Sequence, residues 1–176
     1  MNYQNVPSSF SWANLGDIGE GRTNLGFNMP VIVYRLFQYA LKDILAREYG
    51  GEVSADLFRA AGHLAGIHFA RNVLNLKGEF DFFITNLQKQ LADLKIGILR
   101  VERADLEKFS FMLTVSEDLD CSGLPVTDET VCDYDEGFIA GILETYTGKN
   151  FEVKEIDCWA SGDRTCRFTA NIENAS

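Results

Sequence analysis

"IGILRVERADLEKFSFMLTV", residues 96–115, is where the hydrophobic pattern of this 176-residue chain changes its period. Before residue 95 apolar side chains recur every three or four positions, as on one face of a helix; from Ile96 they alternate, as on a half-buried strand. The alternating runs "IGILRVER" and "KFSFMLTV" flank the short acidic "ADLE", which predicts an antiparallel hairpin. In the second run Phe109, Phe111, Leu113 and Val115 share one face, and Ser110, Met112 and Thr114 share the other.

Toward the N-terminus the pattern predicts three helices. Asn28 caps the first, with Pro30 in the first turn, where a missing N–H costs nothing. Val31, Tyr34, Leu36, Phe37, Leu41, Ile44 and Leu45 carry it to about Tyr49, and Gly50-Gly51 ends it. Ser54 caps the second, which runs to about Asn75; Gly62 and Gly66 weaken it and so call for a neighbour at close approach. The third spans Glu79 to Leu94, with Phe80, Phe83, Ile84, Leu87 and Leu91 as its buried stripe. Toward the C-terminus a loop over 116–130 leads to a fourth helix, about Val131 to Tyr146. A second hairpin follows, "NFEVKEIDC" (150–158) and "RTCRFTANI" (164–172) around "WASGD". The sum is an α+β domain over residues 26–176, a four-stranded antiparallel sheet packed with about four helices. Residues 1–25 form a polar, Gly-rich arm whose Phe10, Trp12 and Leu15 are expected to lie against the body or a partner subunit.

Composition narrows the function. A net charge of −10, with 16 basic residues scattered along the chain, argues against a nucleic-acid surface, which needs clustered Lys and Arg. No run approaches the ~18–20 apolar residues of a membrane span. The stretch "MNYQNVPSSFSWANLGD" has neither the basic start nor the apolar run of a signal peptide, so the expected location is cytoplasmic. There, four cysteines are read as thiols or metal ligands before structural disulfides.

The cysteines are the chemically distinctive feature. A hairpin folding about 161–163 places Cys158 and Cys166 nearly opposite one another, and the start of the fourth helix can deliver Cys132 beside them. Glu155 precedes Cys158 by three residues, so on a regular strand the two face apart; they converge only across a bend or bulge. Three thiolates and a carboxylate would complete a closed tetrahedral zinc site. The residues alone leave two alternatives open, a set of buried core thiols and a Cys158–Cys166 cross-strand disulfide. No Cys-X-X-Cys is present for a thioredoxin-like pair. Cys121, in the loop, has three readings, a metal-adjacent group, a redox-sensitive residue or an incidental thiol, of which the last is favoured. His63 and His68 are five apart, on different faces of the second helix, and are read as packing or surface residues.

"CSGLPVTDETVCDYDEGFIAGIL" (121–143), followed by "VKEIDCWASGDRTCRF" (153–168), resembles the 4-vinyl reductase domain family. The same domain forms the aromatic-sensing part of phenol- and xylene-responsive bacterial activators. It is distantly related to subunits of the eukaryotic transport-protein-particle complex. The resemblance covers about residues 25–172. It implies a structural zinc on Cys132, Glu155, Cys158 and Cys166, matching the zinc-bearing phenol-sensor branch. It also implies an apolar pocket between sheet and helices, walled by Phe83, Leu87, Phe109, Phe111, Leu113, Phe138, Ile142 and Val153. The phenol sensors fix a hydroxyl with a His and a Trp. Trp12 and Trp159 are not on the 108–117 strand and both histidines are on the second helix, so a more apolar ligand is expected here.

Three functions follow as expectations. One is a non-catalytic sensor or carrier of an apolar, aromatic or lipid-like molecule, with structural zinc. Another is an accessory protein or reductase in tetrapyrrole vinyl-group metabolism; no GxGxxG stretch and no acid/base pair in the pocket walls supports catalysis. The last is a homodimeric scaffold, with the first helix and the Gly62/Gly66 face as its interface. No direct nucleic-acid or membrane partner is expected.

Overall fold

Gly50 sets the first corner. Its φ of 91° is open to glycine and strained for other residues. The computed structural model of the chain, which describes residues 8–173, uses it as a one-residue joint between α2 (Val31–Tyr49) and α3 (Gly51–Val73). Helix α3 therefore begins three residues before the expected cap. Ser54 lies inside it, buried, and donates to the Lys42 carbonyl at 3.1 Å. Helix α2 begins at Val31; Pro30, extended at ψ 141°, takes the capping position expected of Asn28. Upstream lie a 3₁₀ turn, Trp12–Leu15, and a one-turn helix, α1 (Ile18–Gly21). The first seven residues of the expected arm fall outside the described residues.

The four-stranded antiparallel sheet has the order β1-β2-β4-β3, from β1 (Ile98–Asp105), β2 (Ser110–Ser116), β3 (Phe151–Asp157) and β4 (Cys166–Ile172). The two hairpins join through β2 and β4, with Leu113 opposite Phe168 and Val115 opposite Cys166. The first hairpin turns later than expected. Ala104 and Asp105 stay in β1, paired with Phe111 and Ser110. The Asp105 carboxylate accepts the Lys108 N–H at 3.0 Å and closes the turn. Phe109 thereby leaves the strand for a left-handed conformation, φ 49°.

One face of the sheet is apolar: Phe111, Leu113 and Val115 of β2, Phe151 and Val153 of β3, and Phe168 and Ala170 of β4 are all buried. Helix α4 (Phe80–Asp93) covers the β1 side and α5 (Asp133–Thr147) the β3 side. Helix α4 buries Phe83, Ile84, Leu87 and Leu91, the stripe expected of it apart from a partly buried Phe80. Phe83 stacks on Tyr146 of α5 with ring centroids 3.9 Å apart, and Phe80 stacks on Phe111 at 5.1 Å.

Helix α3 crosses the outside of α5, and four glycines set that crossing. A methyl group at Gly62 or Gly66 would drive into the carbonyls of Tyr134 or Phe138; one at Gly137 or Gly141 would drive into those of Arg59 or His63. The Gly62/Gly66 face is thus consumed within the chain, which corrects its assignment to a subunit interface. No helix among the described residues is long and apolar enough to cross a membrane.

Gly62→Ala is expected to lower unfolding stability by about 1–3 kcal/mol, because the clash is with backbone that cannot rotate away. Gly51→Ala, which meets open space, should stay within about 0.5 kcal/mol of the parent. Urea denaturation of both variants checks this.

Candidate metal centre and ligand cavity

Four separate segments deliver four thiols to one point. After β2, the Asp118 carboxylate accepts the N–H groups of Asp120 at 2.7 Å and Cys121 at 3.3 Å, a local turn that directs Cys121 inward. Cys132 occupies the N-cap of α5. Cys158 follows β3, where its carbonyl accepts from Ser161 and Asp163 in the turn. Cys166 opens β4. The sulfur of Cys166 lies 3.0 Å from that of Cys121 and 3.9 Å from that of Cys132; Cys132 and Cys158 are 3.8 Å apart. All four sulfurs lie within 4.8 Å of one another, fully buried. Cys121 therefore joins the cluster, against the expectation that it is incidental.

Glu155 comes to the same place by a different route. It shares the inward face of β3 with Phe151 and Val153, and the register slips between Glu155 and Asp157. That bulge lets Glu155 and Cys158 converge despite their three-residue spacing. Its Oε2 accepts from the backbone N–H groups of Cys132 at 3.0 Å and Val131 at 3.2 Å, while Oε1 is buried without a partner. Glu155 thus caps the start of α5 and stands outside the group of mutually close donors. Burial pushes its carboxyl up to about 8. Glu136 completes the brace: Oε1 accepts the Glu155 N–H at 2.9 Å and Oε2 pairs with Arg59 of α3 at 2.6 Å.

The thiols perturb one another strongly. Hydrogen bonding from Cys121, then from Cys132 and Cys166, drives Cys158 far below the usual thiol range. Cys132 and Cys166 are driven far above it, with Cys121 again the first cause. A cation at the centre of the cluster would stabilise all four as thiolates. The cluster can hold a metal ion, and a soft all-sulfur set suits zinc, copper(I) or iron.

The polar side of α2 holds the Cys121 loop. Tyr34 donates to Asp120 Oδ1 at 2.8 Å, Gln38 to Asp120 Oδ2 at 2.6 Å, Tyr39 to the Asp120 carbonyl at 3.0 Å, and Arg35 to the Leu119 carbonyl at 2.7 Å. One turn on, Lys42 binds the Val131 carbonyl and Asp133, at the start of α5. The apolar side of α2 faces outward in consequence: Ile32, Leu36 and Phe37 are 71 %, 71 % and 69 % exposed.

Two cavities adjoin the cluster. Between sheet and helices a small space of about 30 Å³ is lined by Leu87, Leu113, Phe138 and Ile142, four of the expected wall residues, with Asp118 and Asp135 also in its wall. Phe83, Phe111 and Val153 are filled core outside that lining. Phe109, partly buried against the core, lies outside that lining too, with Lys149 over its ring at 4.9 Å. A larger cleft of about 370 Å³ lies under the arm, and Ile96, Asp135 and Phe138 belong to both walls. Phe10, Trp12 and Leu15 of the arm, Tyr34, His68 and Tyr134 line the cleft. Trp12 and His68 thus reach a cavity wall, which their positions in the sequence argued against. His63 instead pairs with Glu144 at 2.6 Å.

Residues 111–172 match the family model of the 4-vinyl reductase domain, so the resemblance stands for the part of the chain that carries β2 to β4. An uncharacterised protein of Methanocaldococcus jannaschii is 28 % identical over 109 residues, 62 % of each chain. A second from the same organism is 26 % identical over 148 residues, 84 % of this chain and 81 % of that one. Among solved structures, the phenol-responsive sensory domain of the transcription activator PoxR, with phenol, superposes with a TM-score of 0.63 at 16 % identity, covering 83 % of this chain and 76 % of that one. A vinyl-4-reductase family protein from M. jannaschii gives 0.62 at 20 % identity, covering 96 % and 100 %. A trafficking protein particle complex subunit 3 from Naegleria fowleri, covalently bound to palmitic acid, gives 0.65 at 12 % identity, covering 82 % and 95 %. At these identities the likeness is one of fold.

Removing a donor from the loop anchor should be costly. Tyr34→Phe is expected to destabilise the domain by about 1–3 kcal/mol, because the buried Asp120 carboxylate loses one of its two side-chain donors. Chemical denaturation measures it.

Proposed function

With a 4-vinyl reductase domain over residues 111–172 as the premise, we propose that this chain is a small-molecule-binding sensor or carrier whose ligand site is closed by a structural zinc clamp. The observation that carries the reading is the sharing of α5. Cys132 at its N-cap belongs to the thiol cluster, and Asp135 and Phe138, within the next two turns, line both cavities. The larger cleft, about 370 Å³, is in the size range of small-molecule sites. The phenol-bound PoxR domain of like fold supports the same reading.

Zinc fits the donor set. Four Zn–S bonds of about 2.3 Å define a tetrahedron with edges of about 3.8 Å; the Cys132 sulfur stands 3.8 and 3.9 Å from those of Cys158 and Cys166, while Cys121 and Cys166, at 3.0 Å, would have to part slightly around an ion. Cys121, with its sulfur among the other three, is the better fourth ligand than Glu155, whose Oε2 is committed to two backbone donors. A closed set of four leaves no position for water and makes the metal a folding element.

Native mass spectrometry of the purified chain is expected to find about one zinc per chain, lost in Cys121→Ser and Cys158→Ser together with much of the thermal stability, and kept in Glu155→Gln. Metal-free wild-type protein would contradict the zinc reading. Loss in Glu155→Gln with retention in Cys121→Ser would restore the carboxylate as ligand.

The outward apolar side of α2 favours a homodimer. Its polar side is tied to the Cys121 loop, so the helix cannot rotate to bury Ile32, Leu36 and Phe37 within its own chain. A second copy offers a self-complementary apolar surface about a two-fold axis. Light scattering should report a dimer, converted to monomer by Leu36→Glu with Phe37→Glu; a monomeric parent protein would count against it.

A further inference from the structure

The fold gathers three cations that stand far apart in the sequence. Arg35 of α2, Lys95 just past α4 and Arg164 before β4 line one open cleft of about 490 Å³, with the Cys121 loop and the Cys158–Cys166 turn as two of its walls. Among the described residues none of the three forms an ion pair, although the chain carries a net charge of −10. Glu117 and Asp118 share the wall, and the Asp118 carboxylate is turned to the N–H groups of Asp120 and Cys121. Arg35 is held in place: Nε donates to the Leu119 carbonyl at 2.7 Å and Nη2 to the Asp118 carbonyl at 3.3 Å, so Nη1 is left over. Trp159, half-buried in the same wall, is fixed by its Nε1–H on the Leu124 carbonyl at 3.1 Å.

Lys95 occupies a position that ordinarily belongs to glycine. Its N–H bonds the Ala92 carbonyl at 3.1 Å and the Ile96 N–H bonds that of Leu91 at 2.9 Å, the paired closure that ends a helix through a left-handed residue. Lys95 is that residue, with φ 62°, and a side chain there costs stability that glycine would not. A lysine at this point can serve the negative end of α4 or the cleft. Two further unpaired cations in the same wall favour the cleft, since three like charges repel one another until an anion joins them.

We propose that this cleft binds a small aromatic phosphate ester, with Lys95, Arg164 and Arg35 Nη1 on the phosphate and Trp159 against the ring. A phosphate carries close to two negative charges at neutral pH and three strong acceptor oxygens, which suits three cations better than a single carboxylate does. The indole offers a flat apolar face for the ring. The site shares only Leu119 with the cleft under the N-terminal arm and does not depend on that cleft holding a ligand.

The test is isothermal titration calorimetry of the full chain with phenyl phosphate, benzoate and inorganic phosphate. Phenyl phosphate is expected to bind one per chain, about fivefold or more tightly than either of the others, which lack its second charge or its ring. Arg164→Gln should weaken it about fivefold or more. Lys95→Gly should weaken it to a similar degree while the melting temperature is kept or raised, because glycine relieves the left-handed backbone. Arg100→Gln with Arg103→Gln, two exposed cations outside the cleft, should leave the affinity unchanged. Absence of phenyl phosphate binding, binding that survives both cleft substitutions, or an equal loss in the Arg100/Arg103 control overturns the site. Benzoate or inorganic phosphate binding as tightly as phenyl phosphate overturns the ligand class. A lowered melting temperature in Lys95→Gly would mark the lysine as a helix-end residue and overturn its assignment.

Discussion

Four sulfur atoms have to share one point at the seam between the helices and the sheet, and the placement of everything around them follows. They arrive from a loop, a helix N-terminus, the end of β3 and the start of β4. Thiol hydrogen bonds are weak, so a buried cluster of four is poorly held by its own contacts. The chain supports it from outside. Glu155 caps the start of α5, Glu136 ties that cap to Arg59, and the polar side of α2 grips the Cys121 loop. The outward apolar side of α2 is the consequence of that grip.

Helix α5 links the thiol cluster to the cavities. Its first turn belongs to the thiol cluster, Asp135 and Phe138 to the cavities, and Gly137 and Gly141 to the crossing with α3. Three such demands on one fifteen-residue helix leave it little freedom to shift. On the proposed reading, an occupant of the cleft would press on an element whose start is fixed at the cluster and whose outer side is fixed by backbone contact.

The local parts of this architecture were legible in the sequence; the long-range parts were not. The change of period after Lys95 and the two hairpins are neighbour effects, and both hairpins form, the first with its turn shifted past the expected "ADLE". The β2–β4 pairing joins residues more than fifty positions apart, and no local pattern encodes it. Gly62 and Gly66 announced a close neighbour without naming α5. The "DLDC" of residues 118–121 did hold a usable signal, since an Asp two residues before Asp120 and three before Cys121 favours the turn that brings the thiol inward. Helix α2 was harder. Its apolar positions at helical spacing are visible, but periodicity cannot say that the opposite side, Tyr34, Arg35, Gln38 and Tyr39, is the one turned inward. The arm residues were placed against the body, but their lining of a cleft with His68 is settled by tertiary packing alone.

The central claim is that the four thiols form one metal centre. X-ray absorption at the zinc edge, on protein purified without added metal, tests it most directly. The account predicts a first shell of four sulfur scatterers at about 2.3 Å. A shell containing oxygen or nitrogen at about 2.0 Å, or no bound zinc, would contradict it.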